Sequence, residues 1–197
     1  MSSSAELVGM RPKGGFKVVY ADPAWKYLTR GQQGPSSRVP DRHYKTMALS
    51  DVCALPIGEI AADDAWLFLW APWAFTKHIF EVIAAWDFEF SSIGFTWVKL
   101  KRSHTGELMT RRSVHMTTGY TTRKNTEPCW IARRGSPRRN RGDIQEAVFE
   151  PVREHSRKPD EVARRIVRYA SGPRVELFAR QAQPGFVGWG DEMGKYS

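Results

Sequence analysis

The chain has 197 residues and a net charge of +9, with 41% hydrophobic and 26% charged residues. That length makes one domain with a real core, and that composition excludes wholesale disorder. Two cysteines, Cys53 and Cys129, exclude a disulfide framework and fit a reducing, cytoplasmic compartment, and no apolar run approaches the about 20 residues of a membrane span.

Residues 1–15 read as a flexible N-terminal tail ending in Gly14-Gly15, which leaves 16–197 as the single domain. Phe16–Ala21 is short, apolar and β-branched, as a buried strand is, and Asp22-Pro23 ends it. Residues 28–42 are rich in Gly, Pro and Ser and read as a long loop. A short helix is expected near Ser50, with the Ser50 hydroxyl as its cap. Ala65–Trp70 is a second buried strand. Residues 73–86 set Trp73, Lys77, Phe80 and Ala84 at helical spacing. Phe88–Lys99 alternates as a strand, 100–125 is a polar basic loop, and Glu127–Ala132 is a fourth strand. Pro159 suits the first position of a helix, with Asp160 and Glu161 at its positive end. Val162, Ile166 and Tyr169 share a face, and Gly172-Pro173 stops the helix before a strand at Arg174–Phe178. Strands alternating with helices predict an α/β sheet.

The positive charge is concentrated. Lys99 to Arg141 holds twelve basic and two acidic side chains, Glu107 and Glu127, so the rest of the chain carries a net charge of −1. Such a block fits a polyanion, because Lys and Arg displace phosphate counterions whatever the base sequence. Replacing Arg111, Arg112, Arg138 and Arg139 is expected to flatten the salt dependence of nucleic-acid binding.

A P-loop, zinc-ligand spacing and G-x-S-x-G are all absent, and no metal site is expected. Gly185 to Gly190 reads G-x-x-G-x-G, the wrong order for a dinucleotide fingerprint. Cys129, after Pro128, reads as a small buried hydrophobe. Asp22-Pro23-Ala24-Trp25 directly follows the first strand, and the carboxyl ends of strands are where open α/β sheets bind ligands. Taken alone, the tetrapeptide is ordinary turn chemistry.

It does not stand alone. ADPAW at Ala21–Trp25 is followed in order by HYKTM at His43–Met47, LFLW at Leu67–Trp70, and WVK at Trp97–Lys99. TGYTTRKNTEPC at Thr118–Cys129, HSRKPDE at His155–Glu161, ELFAR at Glu176–Arg180 and GWGDE at Gly188–Glu192 complete the series. From about Phe16 to Glu192 the chain resembles the MT-A-70 family of adenine methyltransferases, and most of all its short bacterial and phage branch. The resemblance implies a Rossmann-like three-layer sandwich with a mostly parallel central sheet and a permuted motif order. It implies methyl transfer from S-adenosylmethionine to the 6-amino group of adenine in nucleic acid, with DNA favoured over RNA. Asp22 and the main-chain oxygen of Pro23 would accept the amine protons, and Trp25 would stack on the base. Tyr44 would line the base pocket, with Arg123, Asn125 and Glu127 toward the substrate. Asp22, Ser156, Lys158, Arg180, Gln183, Asp191 and Glu192 would face the cofactor, although Ser156 also reads as a helix cap. Ala24 stands where the family has a second proline, which frees a donor and loosens the loop. The rival reading is a weakly active or inactive nucleic-acid-binding partner subunit of the same fold. The expected partners are nucleic acid and either a partner subunit or a second copy of the chain in a homodimer, with the oligomeric state left open and no membrane.

Overall fold

The computed structural model describes residues 2–25, 46–106, 108–117, 122–154, 156–181 and 183–194. The loop expected over 28–42 and the residues His43 to Lys45, Tyr44 among them, lie outside the described residues.

The described strands are β1 (Phe16–Ala21), β2 (Ala61–Trp70), β3 (Glu89–Leu100), β4 (Thr126–Arg134), β5 (Ala147–Pro151), β6 (Arg174–Leu177) and β7 (Val187–Trp189). They form one sheet in the order β5-β3-β4-β2-β1-β6-β7. Every neighbouring pair is parallel except those made by β4, which runs against both β2 and β3. Helices α1 (Ser4–Gly9), α2 (Leu49–Cys53), α3 (Ile57–Ile60) and α4 (Thr76–Ala85) bury side chains on one face. Helix α5 (Asp160–Tyr169) covers the other with Val162, Ala163 and Ile166. This is the Rossmann-like α/β sandwich that the resemblance implied.

The central strands explain why both faces need covering. Along β2, Leu67 and Leu69 enter one core while Phe68 and Trp70 enter the other, and on β1 Val19 and Ala21 oppose Val18 and Tyr20. A strand buried on both faces reads as a continuous apolar run. The path from β1 to β2 passes α2 and α3 on one face, and the path from β5 to β6 passes α5 on the other. Strand β1 lies between β2 and β6, so its carboxyl end opens where the connections diverge, the crevice at which such sheets bind ligands.

Several elements differ from expectation. The first fifteen residues hold α1, closed by a capping box in which Ser3 Oγ accepts the Glu6 N–H (3.1 Å) and Glu6 reaches back to Ser3. Leu7 is fully buried in the core, so this segment is part of the domain. Helix α2 starts after Ala48 with no side-chain cap, so Ser50 is inside it rather than before it. Pro159 is the N-cap of α5 and not its first helical residue, and no side chain caps that helix. Residues 73–86 divide into a single 3-10 turn, Trp73–Phe75, and α4. Strand β2 starts four residues earlier than expected, at Ala61, through the exposed pair Asp63 and Asp64. The short strands β5 and β7 have no counterpart among the expected elements.

Leu7→Ala is expected to destabilise the domain by about 2–5 kcal/mol, the cost of a buried cavity, and this is measured by chemical denaturation. A free, frayed tail would give no change.

Candidate active site

The site forms at the carboxyl end of β1. Residues 22–25 leave the strand in a tight turn closed by the Trp25 N–H donating to the Pro23 oxygen (2.8 Å). The Ala24 oxygen accepts the Met47 N–H (2.9 Å). These two bonds fix the turn on both sides of Ala24, so the loosening expected from the missing proline is countered locally. The indole N–H of Trp25 donates to the Trp70 oxygen (2.9 Å), and its ring packs on Phe75 with centroids 5.2 Å apart. The end of β2 is held further by Trp70 Nε1 donating to the Tyr20 hydroxyl (2.8 Å) and Trp130 Nε1 to the Ala71 oxygen (3.1 Å).

Four charged side chains meet above this frame. Lys158, from the segment entering α5, donates to Asp22 Oδ2 at 2.8 Å and lies 3.3 Å from Glu127 Oε1. Lys99, near the end of β3, lies 2.7 Å from Glu127 Oε2. The Lys158 ammonium also sits 5.6 Å from the centre of the Trp70 ring. Glu127 is the second residue of β4, and only because β4 runs backwards does its beginning lie at the carboxyl end of its neighbours.

Burial alone would favour the neutral acids, yet the two respond differently. Burial raises the Asp22 pKa, with Lys158 opposing it and the charge of Glu127 adding to it. Burial pushes Glu127 the same way, but Lys158 and Lys99 together win and hold it at about 2. Lys158 is disfavoured by burial, and the two carboxylates nevertheless raise its pKa.

Asp22 borders three cavities. The largest, 710 Å³, is lined by Pro23, Trp25, Lys99, His115, Glu127 and Lys158 among others. A 360 Å³ cavity on the other side of Asp22 is lined by Trp189, Asp191 and Glu192. Arg180 borders both of these and also a 40 Å³ pocket shared with Ser156, Lys158, Glu176 and Gln183. Asp191 accepts the backbone N–H of Ser2, Glu192 pairs with Arg180 at 3.0 Å, and Gln183 donates to Asp160 at 3.4 Å. Ser156 has a left-handed backbone (φ 62°) and does not cap α5.

Two expected residues are not brought in. Arg123 is exposed and Asn125 uses its carbonyl to accept the Lys99 N–H (2.9 Å); neither lines the large cavity. The structure adds two residues to which the sequence motifs assign no role. Lys99 lies within the WVK landmark, and a basic residue near a strand end is the signal that could have marked it. Glu176 lies within ELFAR, where the clue is a carboxylate inside the apolar strand β6. Among the described residues its Oε2 is buried without a hydrogen-bond partner, as is Trp189 Nε1. Burial, with help from Asp22 and Asp160, lifts the Glu176 pKa to about 8.

The basic block is divided by the fold. Strand β4 carries the chain about 26 Å from one end of the sheet to the other, at ~3.3 Å per residue. Arg111, Arg112, Arg123 and Lys124 precede it, at the end that holds Asp22. Arg133, Arg134, Arg138, Arg139 and Arg141 end it or follow it. At that far end Arg133 pairs with Glu89, Arg134 with Asp87 and Arg141 with Asp143. The single polyanion-binding block read from sequence is therefore two patches, and in the second Arg133, Arg134 and Arg141 are paired with acids.

The MT-A70 family model matches residues 16–192. A type II methyltransferase, M.MunI, of a Mycoplasma species is 25% identical over 205 residues, covering 95% of this chain and 82% of that protein. The human N(6)-adenosine-methyltransferase catalytic subunit METTL3 is 29% identical over 184 residues, covering 91% of this chain and 28% of that protein. A Drosophila melanogaster N(6)-adenosine-methyltransferase MT-A70-like protein is 29% identical over 191 residues, again 28% of its length. The mostly parallel seven-stranded sheet with an acid-bearing turn at the carboxyl end of an inner strand defines a Rossmann-like α/β class. Within that class, the chain belongs to the MT-A70 family.

Glu176 gives a pH test. Its carboxyl binds protons more tightly when folded than when unfolded, so its ionisation opposes folding. Stability should fall as pH rises from about 4.5, the ordinary value, through about 8. Glu176→Gln is expected to remove that part of the slope and to raise the melting temperature at pH 8, read by thermal unfolding across pH.

Proposed function

We propose that the chain transfers a methyl group from S-adenosylmethionine to the 6-amino group of adenine in nucleic acid, and in DNA rather than RNA. The observation that carries this reading is the position of Asp22, one carboxylate in the wall of a large basic cavity and of two smaller ones. The preference for DNA rests on the resemblance of the motif series to the short bacterial and phage branch of the family.

The adenine amine is a poor nucleophile because its lone pair is delocalised into the ring. Two acceptors that take its two N–H bonds favour a pyramidal nitrogen with the lone pair free. Asp22 supplies a carboxylate. Pro23 supplies a carbonyl whose oxygen has a second lone pair beyond the one given to Trp25. Lys158 fixes the Asp22 carboxylate, so the acceptor is oriented before substrate arrives. Burial makes Asp22 more basic than an ordinary aspartate, which suits it to take up the proton the amine must lose. Trp25 lines the same cavity and offers a ring for stacking, worth roughly 1–3 kcal/mol.

The residues present fit the cofactor. Among the described residues, two of the buried polar atoms without a hydrogen-bond partner, an acceptor on Glu176 and a donor on Trp189, belong to residues that each line one of the smaller cavities. Glu176 would take the methionine ammonium, while Lys158, with Ser156 and Gln183 beside it, would take the carboxylate. Asp191 and Glu192 would hold the ribose hydroxyls, with Arg180 between the two cavities. S-adenosylmethionine, when bound, supplies a methyl group on a sulfonium centre. The rival reading, an inactive partner subunit, draws on Ala24; the retained Asp22, Trp25 and Lys158 favour the active enzyme.

Labelled S-adenosylmethionine incubated with matched DNA and RNA oligonucleotides, followed by nucleoside mass analysis, tests the reading. Asp22→Ala is expected to slow transfer by at least about 10²-fold while circular dichroism stays unchanged. Undiminished turnover in that variant would overturn the mechanism. In binding titrations against salt, replacing Arg111 and Arg112 should reduce the log–log slope by about 0.9 for each phosphate they neutralise. Replacing Arg138 and Arg139 should leave it unchanged.

A further inference from the structure

The rim of the large cavity is built partly from residues 114–117. Val114 bridges Leu100, and the His115 N–H donates to the Lys99 oxygen (2.8 Å). Thr117 and Lys124 exchange backbone bonds at 2.8 and 3.3 Å. An extended segment sends alternate side chains to opposite sides. His115 and Thr117 line the cavity, and Met116 between them is 65% exposed. The backbone at Val114, His115 and Thr117 is thus fixed, while the unbranched apolar side chain of Met116, which does not itself line the cavity, is left in water on the outer side of the rim.

The surroundings of Met116 are cationic. Arg111 and Arg112 precede it in the same segment, and Arg123 and Lys124 lie on the paired segment. All four are exposed, and no ion pair among the described residues neutralises them. An acidic or apolar protein surface would satisfy only one of these two features. A nucleic-acid duplex satisfies both, with phosphates for the cations and a base stack for the apolar tip.

We propose that Met116 is a wedge that enters the stack of a duplex and fills the place of the adenine turned into the cavity. The inference rests on the adenine reading and adds the form of the substrate. Asp22 lies at the cavity wall, so an adenine still paired inside a helix cannot meet it. Extruding the base costs a few kcal/mol, and a single strand avoids most of that cost. A methionine suits the task because it is flexible and polarisable and makes favourable contacts with ring edges.

The test compares initial rates on a duplex carrying one adenine among randomised flanks and on the corresponding single strand. Met116→Ala is expected to lower the duplex-to-single-strand rate ratio by about tenfold or more, the scale set by the cost of extrusion. Met116→Leu should largely keep the ratio, and an abasic site opposite the adenine should restore it in Met116→Ala. With 2-aminopurine in the target position, fluorescence should rise on binding the wild type and much less on binding Met116→Ala. Leu108, 83% exposed on the same loop but not adjacent to His115 or Thr117, the residues that flank Met116 and line the cavity, is the control. A ratio unchanged in Met116→Ala, or lowered by Leu108→Ala instead, would overturn the wedge. A wild type active only on the single strand would also overturn it and leave adenine methylation standing. A wild type inactive on both strands would overturn the adenine reading and the wedge together.

Discussion

The site depends on one ammonium held between two carboxylates. The Lys158 side chain, 12% exposed, lines the cavities with Asp22 at 2.8 Å and Glu127 at 3.3 Å beside it. Its two carboxylates come from remote parts of the chain: Asp22 is 136 residues away, and Glu127 belongs to a strand that runs against its neighbours. If β4 were parallel, Glu127 would lie at the opposite end of the sheet. The reversed strand is therefore what lets β1, β4 and the entry to α5 share a charge. Lys99 completes the set from β3, giving two cations and two anions around one buried point. The same balance separates the acids: Glu127, with two lysines, stays ionised, whereas Asp22, with one lysine and a negative neighbour, is held closer to accepting a proton.

The division of labour around Asp22 follows from strand order. Pocket walls toward β3 and β4 carry lysines, arginines and an exposed loop, while those toward β6 and β7 carry Glu176, Trp189 and the Asp191-Glu192 pair. The glycines of the terminal segment serve this second side. A side chain at Gly190 would come within 2.7 Å of the Ala179 backbone, so glycine there lets the end of β7 close on the turn after β6. That close approach accounts for Gly190, while Gly185 takes a left-handed backbone with φ 83°.

The parts legible in the sequence are those whose signal is local. Apolar runs mark β1, β2 and β4, and the helical spacing of Val162, Ile166 and Tyr169 marks α5. The motif series marks Asp22 and Lys158. What is not legible depends on direction and pairing. Nothing local says that β4 is reversed, so neither the Glu127–Lys158 contact nor the division of the basic block is visible in the sequence. Strand β5 is an edge with Phe149 exposed, and β7 has three residues, so neither carries an apolar pattern. The helix at Ser4–Gly9 is hidden even though Ser3 and Glu6 have capping-box spacing, because the polar run around them resembles a tail.

Helix α1 has a practical side. Leu7 anchors it in the core, and its leading residues reach the far side of the molecule's nucleotide-sized hollow, where Ser2 and Ser4 stand in the same wall as Asp191 and Glu192. The Ser2 amide already engages the Asp191 carboxylate. A purification handle or reporter fused ahead of Ser2 is consequently attached to the lip of a binding cavity and not to a passive leader. Its linker would sit beside the Asp191 carboxylate, the group proposed above for the ribose.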